Sequence, residues 1–259
     1  MSGHVDVVIL GCGPAGLAAA EAAISTGRSV LIASVTDQPS TQYGCQYLHA
    51  PIPGHESVQH TTVGYHLNGT PEQYRKKVYG NKWEGKVSPE DFVGEHEAWD
   101  IRATYHSMWV SLHDNPKAEF VKISPIKGGA IPYDLYRLHP THIFSTIPAP
   151  GLCYIKSHEF LYHTIYANGD THRGTDLTDS IVCDGTDEVE WYRNACVFGY
   201  RTTEWSKRPT NGAHVVVVAK PLKTNCGCHQ EVHKLGRYGK WQKSYLVHQV
   251  WPEVMEILK

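Results

Sequence analysis

"VVILGCGPAGLAAAEAAISTGRSVLIAS", Val7 to Ser34, decides how this chain of 259 residues is read. Val5 to Leu10 is a β-branched run of the kind buried in parallel sheets. "GCGPAG" follows at once, with Gly11, Gly13 and Gly16 in G-x-G-x-x-G spacing. The first glycine of such a turn allows the sharp reversal, the second lets a pyrophosphate reach the backbone, and the third lets helix and strand pack closely. Cys12, Pro14 and Ala15 complete the expected phosphate path. Leu17 to Thr26 is Ala-rich and reads as a helix, Gly27 as its cap, and Ser29 to Ala33 as a second strand. The helix start offers free N–H groups and a positive dipole end to phosphate. Where an acidic residue usually grips the ribose there is Ser34, whose hydroxyl can bond a ribose only without charge assistance.

Hydrophobic residues make up 41% of the chain and charged residues 19%, the balance of a folded soluble protein. A formal charge of -2 argues against a general electrostatic grip on DNA or anionic membrane, while leaving a local basic groove open. The seven cysteines are irregularly spaced and odd in number, unlike a disulfide framework. No apolar run reaches the roughly eighteen residues of a membrane span, and a strand pattern begins too early for a signal peptide. The expectation is a cytoplasmic, thiol-reduced protein whose oligomeric state the sequence does not fix.

"GCGPAGLAAA" resembles the N-terminus of FAD-binding flavoproteins. "THIFSTIPAP", Thr141 to Pro150, is similar to the strand that returns to the FAD sheet in amine oxidases, protoporphyrinogen oxidases and UDP-galactopyranose mutases, with His142 departing from the usual aspartate region. "LGRYGKWQKSYLVHQVWPEVMEILK", from Leu235, resembles the closing segment of the mutases and related flavoproteins. The resemblance implies that Gly236, Arg237 and Trp241 belong to the cofactor segment, with Arg237 at the pyrophosphate. It places the backbone near Leu246 and Val247 at the flavin edge, where a helix start stabilises the charge of a reduced flavin. A nicotinamide protein has no need of this second element, so the cofactor expected is FAD. The fold implied is α/β: an FAD-binding Rossmann-like (glutathione-reductase-type) domain with a helical insertion and a small antiparallel sheet for substrate.

On this reading residues 1–55, 115–155 and 221–259 form the FAD-binding parts, 56–114 the helical insertion and 156–220 the substrate-side sheet. Thr70-Pro71 and Ser88-Pro89 look like helix starts, and Trp99, Tyr105 and Trp109 form an aromatic stripe that suits a core. "QYGCQYLHAPIPG", Gln42 to Gly54, reads as a functional loop, with Gln46, Tyr47, Leu48 and His49 facing flavin or substrate. "SIVCDG", "ACVFGYRTTEW" and "HVVVVAKP" read as strands. Arg201 and Glu204 stand beside Trp205, either as a substrate contact or as a cross-strand ion pair. In "CGCHQEVH", Cys226, Cys228, His229 and His233 have zinc-ligand chemistry, but the spacing is not that of a finger and no second knuckle follows, so no metal is assigned.

The resemblance implies a FAD-dependent oxidoreductase of amine-oxidase type. Flavin N5 would take hydride from a carbon next to nitrogen, and hydrolysis of the imine would split the C–N bond. The expected partner is a small-molecule amine or amino acid. One version is an amino acid carried on a modified nucleobase, similar in chemistry to flavin-dependent lyases of phage DNA hypermodification. The alternatives are a non-redox mutase with Arg193, Arg201 and Arg208 around a diphosphate, and a non-catalytic FAD-binding partner protein.

Overall fold

Two sheets carry the fold, in a computed structural model that describes residues 4–36, 38–39, 46–82, 85, 92–168, 179–210 and 212–259. The first sheet is parallel and five-stranded, with elements numbered in chain order: β1 Val7–Leu10, β2 Val30–Ser34, β5 Ala118–Lys122, β6 His142–Ser145 and β12 Val232–Lys234. Its strand order is β12-β6-β1-β2-β5. Every residue of β1 and β2 is buried, as continuous β-branched runs require. Helix α1 (Pro14–Ser25) covers one face, with α3 (Ile101–His113) and α7 (Val250–Ile257) beside it in one apolar cluster. Leu135 of α4 (Tyr133–Tyr136) and Leu152 of α5 (Ala149–Leu152) pack on the other face. The chain leaves β1 toward β2 on one side, while β6 lies on the other. That reversal opens a crevice at the carboxyl ends of β1 and β6, the place where open parallel sheets bind ligands.

The second sheet has seven strands in the order β11-β7-β10-β9-β8-β3-β4. They are β3 His60–Asn68, β4 Gly94–Trp99, β7 Phe160–Ala167, β8 Ser180–Asp184, β9 Trp191–Val197, β10 Tyr200–Trp205 and β11 Val216–Thr224. All pairings are antiparallel except β3 with β8. The segment 56–114 departs from the helical expectation. It does contain α2 (Pro71–Tyr79), closed by a capping box between Thr70 and Gln73, and α3. It also contains β3 and β4, because "HTTVGYHLN" and "GEHEAW" place one face on the sheet core through Val63 and Ala98. Helix α3 starts at Asp100, whose carboxylate accepts from the Arg102 and Ala103 amides; Ser88 and Pro89 lie outside the described residues. The sheet also gains β7, which the sequence reading passed over. Cys12, Cys153, Cys183, Cys196, Cys226 and Cys228 are free thiols, and no helix among the described residues is long and apolar enough to cross a membrane.

Candidate functional site: a cavity between the two sheets

The glycine turn is built by close approach. Gly11 has φ +103°, a left-handed value that a Cβ would strain, and its amide donates to the Ala33 carbonyl at 2.8 Å. A Cβ on Gly16 would stand 2.0 Å from the Gly11 carbonyl oxygen, so only glycine lets α1 start this near β1. A Cβ on Gly13 would meet nothing within 4 Å. The backbone there faces open space. Pro14 opens α1 and needs no amide partner. From α3, the Tyr105 hydroxyl donates to the Cys12 carbonyl at 2.8 Å and fixes the turn from behind. Trp109 and Tyr105 are otherwise core, as the stripe suggested.

The open space belongs to a cavity of about 470 Å³, within the usual range for a small-molecule site. Gly11, Cys12, Gly13, Pro14 and Ala15 form one wall. Ser34 adds the end of β2; its hydroxyl accepts from the Cys12 thiol at 3.0 Å. Thr146, Ile147 and Pro148, just beyond β6, close the crevice floor. Gly16 lies beneath the turn rather than on the surface.

The loop before β3 enters from the opposite side. Leu48 forms a two-way backbone bridge with Trp99 at 2.9 and 3.0 Å, which pins the loop to β4. Gln46, Tyr47, Leu48 and His49 all line the cavity. Gln46 accepts from Thr202 of β10 at 2.7 Å, while its buried Nε2 has no partner among the described residues. The Tyr47 and Tyr65 hydroxyls meet at 3.0 Å. Desolvation, then the neighbouring His248 and His96, lowers His49 to about 4, so it is neutral at ordinary pH. Its ring is exposed to the cavity.

The C-terminal segment supplies the third wall. Gly236 opens α6 (Gly236–Lys240), and a Cβ there would lie 2.9 Å from that of Ala15, so the two motifs touch. Gly236, Arg237, Leu246 and Val247 line the cavity together with Tyr245 and His248. Arg237 Nε is buried without a partner among the described residues, as is His248 Nδ1. A 3-10 turn, Val247–Gln249, precedes α7, and the Leu246 amide is already taken by the Gln249 side chain at 2.7 Å. Val247 therefore stands nearest the free start of this helical run. Trp241 does not reach the cavity. It is buried, and its indole donates to the Leu161 carbonyl at 3.0 Å.

The substrate-side sheet brings charge. Arg193 of β9 and Lys220 of β11 line the cavity, and Glu204 sits behind them, fully buried. Glu204 accepts from Lys220 at 2.8 Å and from the Tyr192 hydroxyl, with Arg193 at 3.9 Å. Burial opposes its ionisation, but Lys220 and Arg193 outweigh this and hold it at about 2. Burial, opposed by Glu204 and reinforced by the Arg193 charge, lowers Lys220 below its ordinary value. Two cations thus share one carboxylate. Arg237 adds a third cation, and no Asp or Glu lines the cavity among the described residues. Arg201 is absent from the cavity. Residues alternate along β10, so Thr202 and Glu204 face one way and Arg201 the other. Arg208 is elsewhere too, near the Tyr166 ring. Tyr65, Lys220, Tyr245 and His248 were not singled out in the sequence, because only pairing between distant strands and the C-terminal segment gathers them here.

The neighbours Cys226, Cys228, His229 and His233 part company. His229 bonds Glu231 at 2.8 Å and the Gly129 carbonyl at 2.9 Å, and His233 packs on His142 and Phe144.

A parallel sheet with a glycine turn at its switch point, joined to a mostly antiparallel sheet, defines an FAD-binding Rossmann-like fold. It is the fold of flavin-dependent halogenases and monooxygenases. The tryptophan 5-halogenase MibH superposes with a TM-score of 0.64 at 14% identity, covering 100% of this chain and 67% of that one. Xcc4156, a flavin-dependent halogenase from Xanthomonas campestris, gives 0.57 at 11% identity over 97% of this chain and 70% of that one. The 2,6-dihydroxypyridine-3-hydroxylase of Arthrobacter nicotinovorans gives 0.58 at 9% identity over 98% and 83%. No family model and no curated protein matches the sequence.

Proposed function

We propose that this chain is a FAD-dependent oxidoreductase that oxidises the C–N bond of an amine, with an amino acid or amino-acid-like molecule as substrate. One observation carries the reading: a single cavity is bounded by the glycine turn, by the Gln46–His49 loop and by the Arg237 segment. The residues fit the cofactor. Gly13 leaves room at the backbone for a pyrophosphate, and Arg237 holds an unused N–H toward an anion. Ser34 and Val247 line the same cavity, where the Ser34 hydroxyl would hold the ribose and the Val247 backbone the flavin edge. FAD would supply a two-electron acceptor for the hydride of the C–H next to nitrogen.

The chain's own residues bind and orient. Arg193 and Lys220, only half neutralised by Glu204, suit a substrate carboxylate, which favours amino acids over simple amines. Neutral His49 and the Tyr47 hydroxyl orient the amine nitrogen so that its neighbouring C–H points inward. After oxidation, water adds to the imine carbon and the C–N bond breaks. An amino acid carried on a nucleobase is the larger version of this substrate, and the net charge of -2 offers it no general attraction to DNA.

A second reading, oxygen-dependent hydroxylation or halogenation, is favoured by the named structural neighbours. An anaerobic titration separates the two. Bleaching of the oxidised flavin spectrum by an amino acid, with no added reductant, supports the proposal. A flavin that bleaches only with an external reductant supports the second reading.

A further inference from the structure

We propose that Cys153, His158, Cys226 and Cys228 bind a structural zinc ion, outside the cavity and independent of the flavin reading. One ligand atom from each lies within 4.8 Å of all the others. The Cys153 and Cys228 sulfurs are 3.8 Å apart, and His158 Nδ1 is 3.4 Å from the first and 3.5 Å from the second. Zinc bonds of about 2.3 Å to sulfur and 2.0–2.1 Å to nitrogen give a tetrahedron with S···S edges of about 3.8 Å and S···N edges of about 3.6 Å. The three edges among Cys153, His158 and Cys228 already match these lengths, and the Cys226 sulfur lies within 4.8 Å of all three. A disulfide would need its sulfurs at about 2.0 Å. Three thiolates and one imidazole select zinc over the oxygen-seeking cations. The three thiolates leave one net negative charge on the complex, and the Lys234 ammonium lies close by, donating to the Cys228 carbonyl at 2.6 Å.

The ligands come from two of the four crossings between sheets, the outward one from β6 to β7 and the return from β11 to β12. Cys153 and His158 lie on the outward crossing, after α5 and before β7. Cys226 and Cys228 lie on the return, between β11 and β12. The ion would tie these crossings to each other. It would also set the frame for the segment that follows β12 and presents Arg237. The local C-x-C pair was visible in sequence, but its partners are Cys153 and His158, not the adjacent His229 and His233.

The test uses full-length protein without a metal-binding tag, expressed with zinc supplied, dialysed, and measured by elemental analysis. About one zinc per chain is expected, with loss of most of it in Cys226→Ser and Cys228→Ser and retention in His229→Ala and His233→Ala. Should the cysteine variants not fold, wild-type protein reloaded with cobalt decides: ligation by three thiolates gives intense sulfur-to-cobalt charge-transfer absorption, and its absence would overturn the proposal. Wild-type protein without zinc would overturn the proposal. So would full zinc in Cys228→Ser, or loss of zinc in His229→Ala with retention in Cys226→Ser.

Discussion

The wall given by the parallel sheet is backbone and glycine, whereas the wall given by the mostly antiparallel sheet is buried charge. At the first, Gly11, Gly13 and Gly16 matter because of atoms they lack. At the second, Arg193, Lys220 and Glu204 matter through charges held together from three strands. The two walls therefore fail in different ways. A change in the first blocks a ligand path or separates a helix from its strand. A change in the second strands a charge away from water.

The largest expected effect lies in the second wall. Glu204→Gln leaves Arg193 and Lys220, half-buried at the cavity wall, without the carboxylate they share, and stability should fall by up to about 3–5 kcal/mol. Urea unfolding measures it; a loss below about 1 kcal/mol would mean that water reaches these cations. In the same region His163 is buried, and desolvation, followed by the Lys220 charge, lowers it from 6.5 to about 4. The unfolded chain binds the proton first, so this stability is complete above pH 6.5 and is lost as the pH falls toward 4. His163→Phe should flatten that acid limb by roughly 3 kcal/mol. An unchanged limb would place the proton uptake on other histidines.

In the first wall, Gly16→Ala and Gly13→Ala form a pair. The added Cβ meets the Gly11 carbonyl at 2.0 Å in one and nothing within 4 Å in the other. The first should lose about 1–3 kcal/mol and the second close to nothing. Equal losses would erase the distinction between a packing glycine and a phosphate-path glycine. Arg237→Ala should act on binding rather than on the fold, weakening FAD binding about 10- to 150-fold, the cost of a charge-assisted bond of about 1.5–3 kcal/mol. Arg237→Lys should recover part of it. Fluorescence titration of the apoprotein reads both variants, and unchanged affinity would remove Arg237 from the phosphate role.

The same contrast explains what could be read in the sequence. The βαβ unit is local: strand, turn, helix and strand fall within 28 residues, and each glycine has a fixed steric duty. The Arg237 segment was legible as a motif, although nothing local says that Gly236 touches Ala15. The Gln46–His49 stretch was legible as a loop outside helix and strand periods, and its bridge to Trp99 was not. The charged wall was legible only in pieces: Arg193 and Glu204 stood out in separate roles, and Lys220 did not. "YRTTEW" joins Arg201 and Glu204 in sequence, yet strand alternation sends them to opposite faces and gives Glu204 the partners Arg193 and Lys220. β3 and β4 were hidden because their inner faces carry Thr61 and His96 beside Val63 and Ala98, which blurs the period-two pattern that marks a strand.

The most direct test of one flavin site shared by both walls is the cofactor content of purified wild-type protein and of Gly13→Asp. Visible spectra and chromatography of the heat-released cofactor are measured beside urea unfolding of each protein. About one FAD per chain is expected in the wild type, and loss of nearly all of it in Gly13→Asp, where a side chain and a negative charge enter the pyrophosphate path. Apoprotein stability should barely change, because that side chain points into open space. A wild-type protein that neither carries nor takes up FAD, or a Gly13→Asp protein that keeps it in full, would contradict the account.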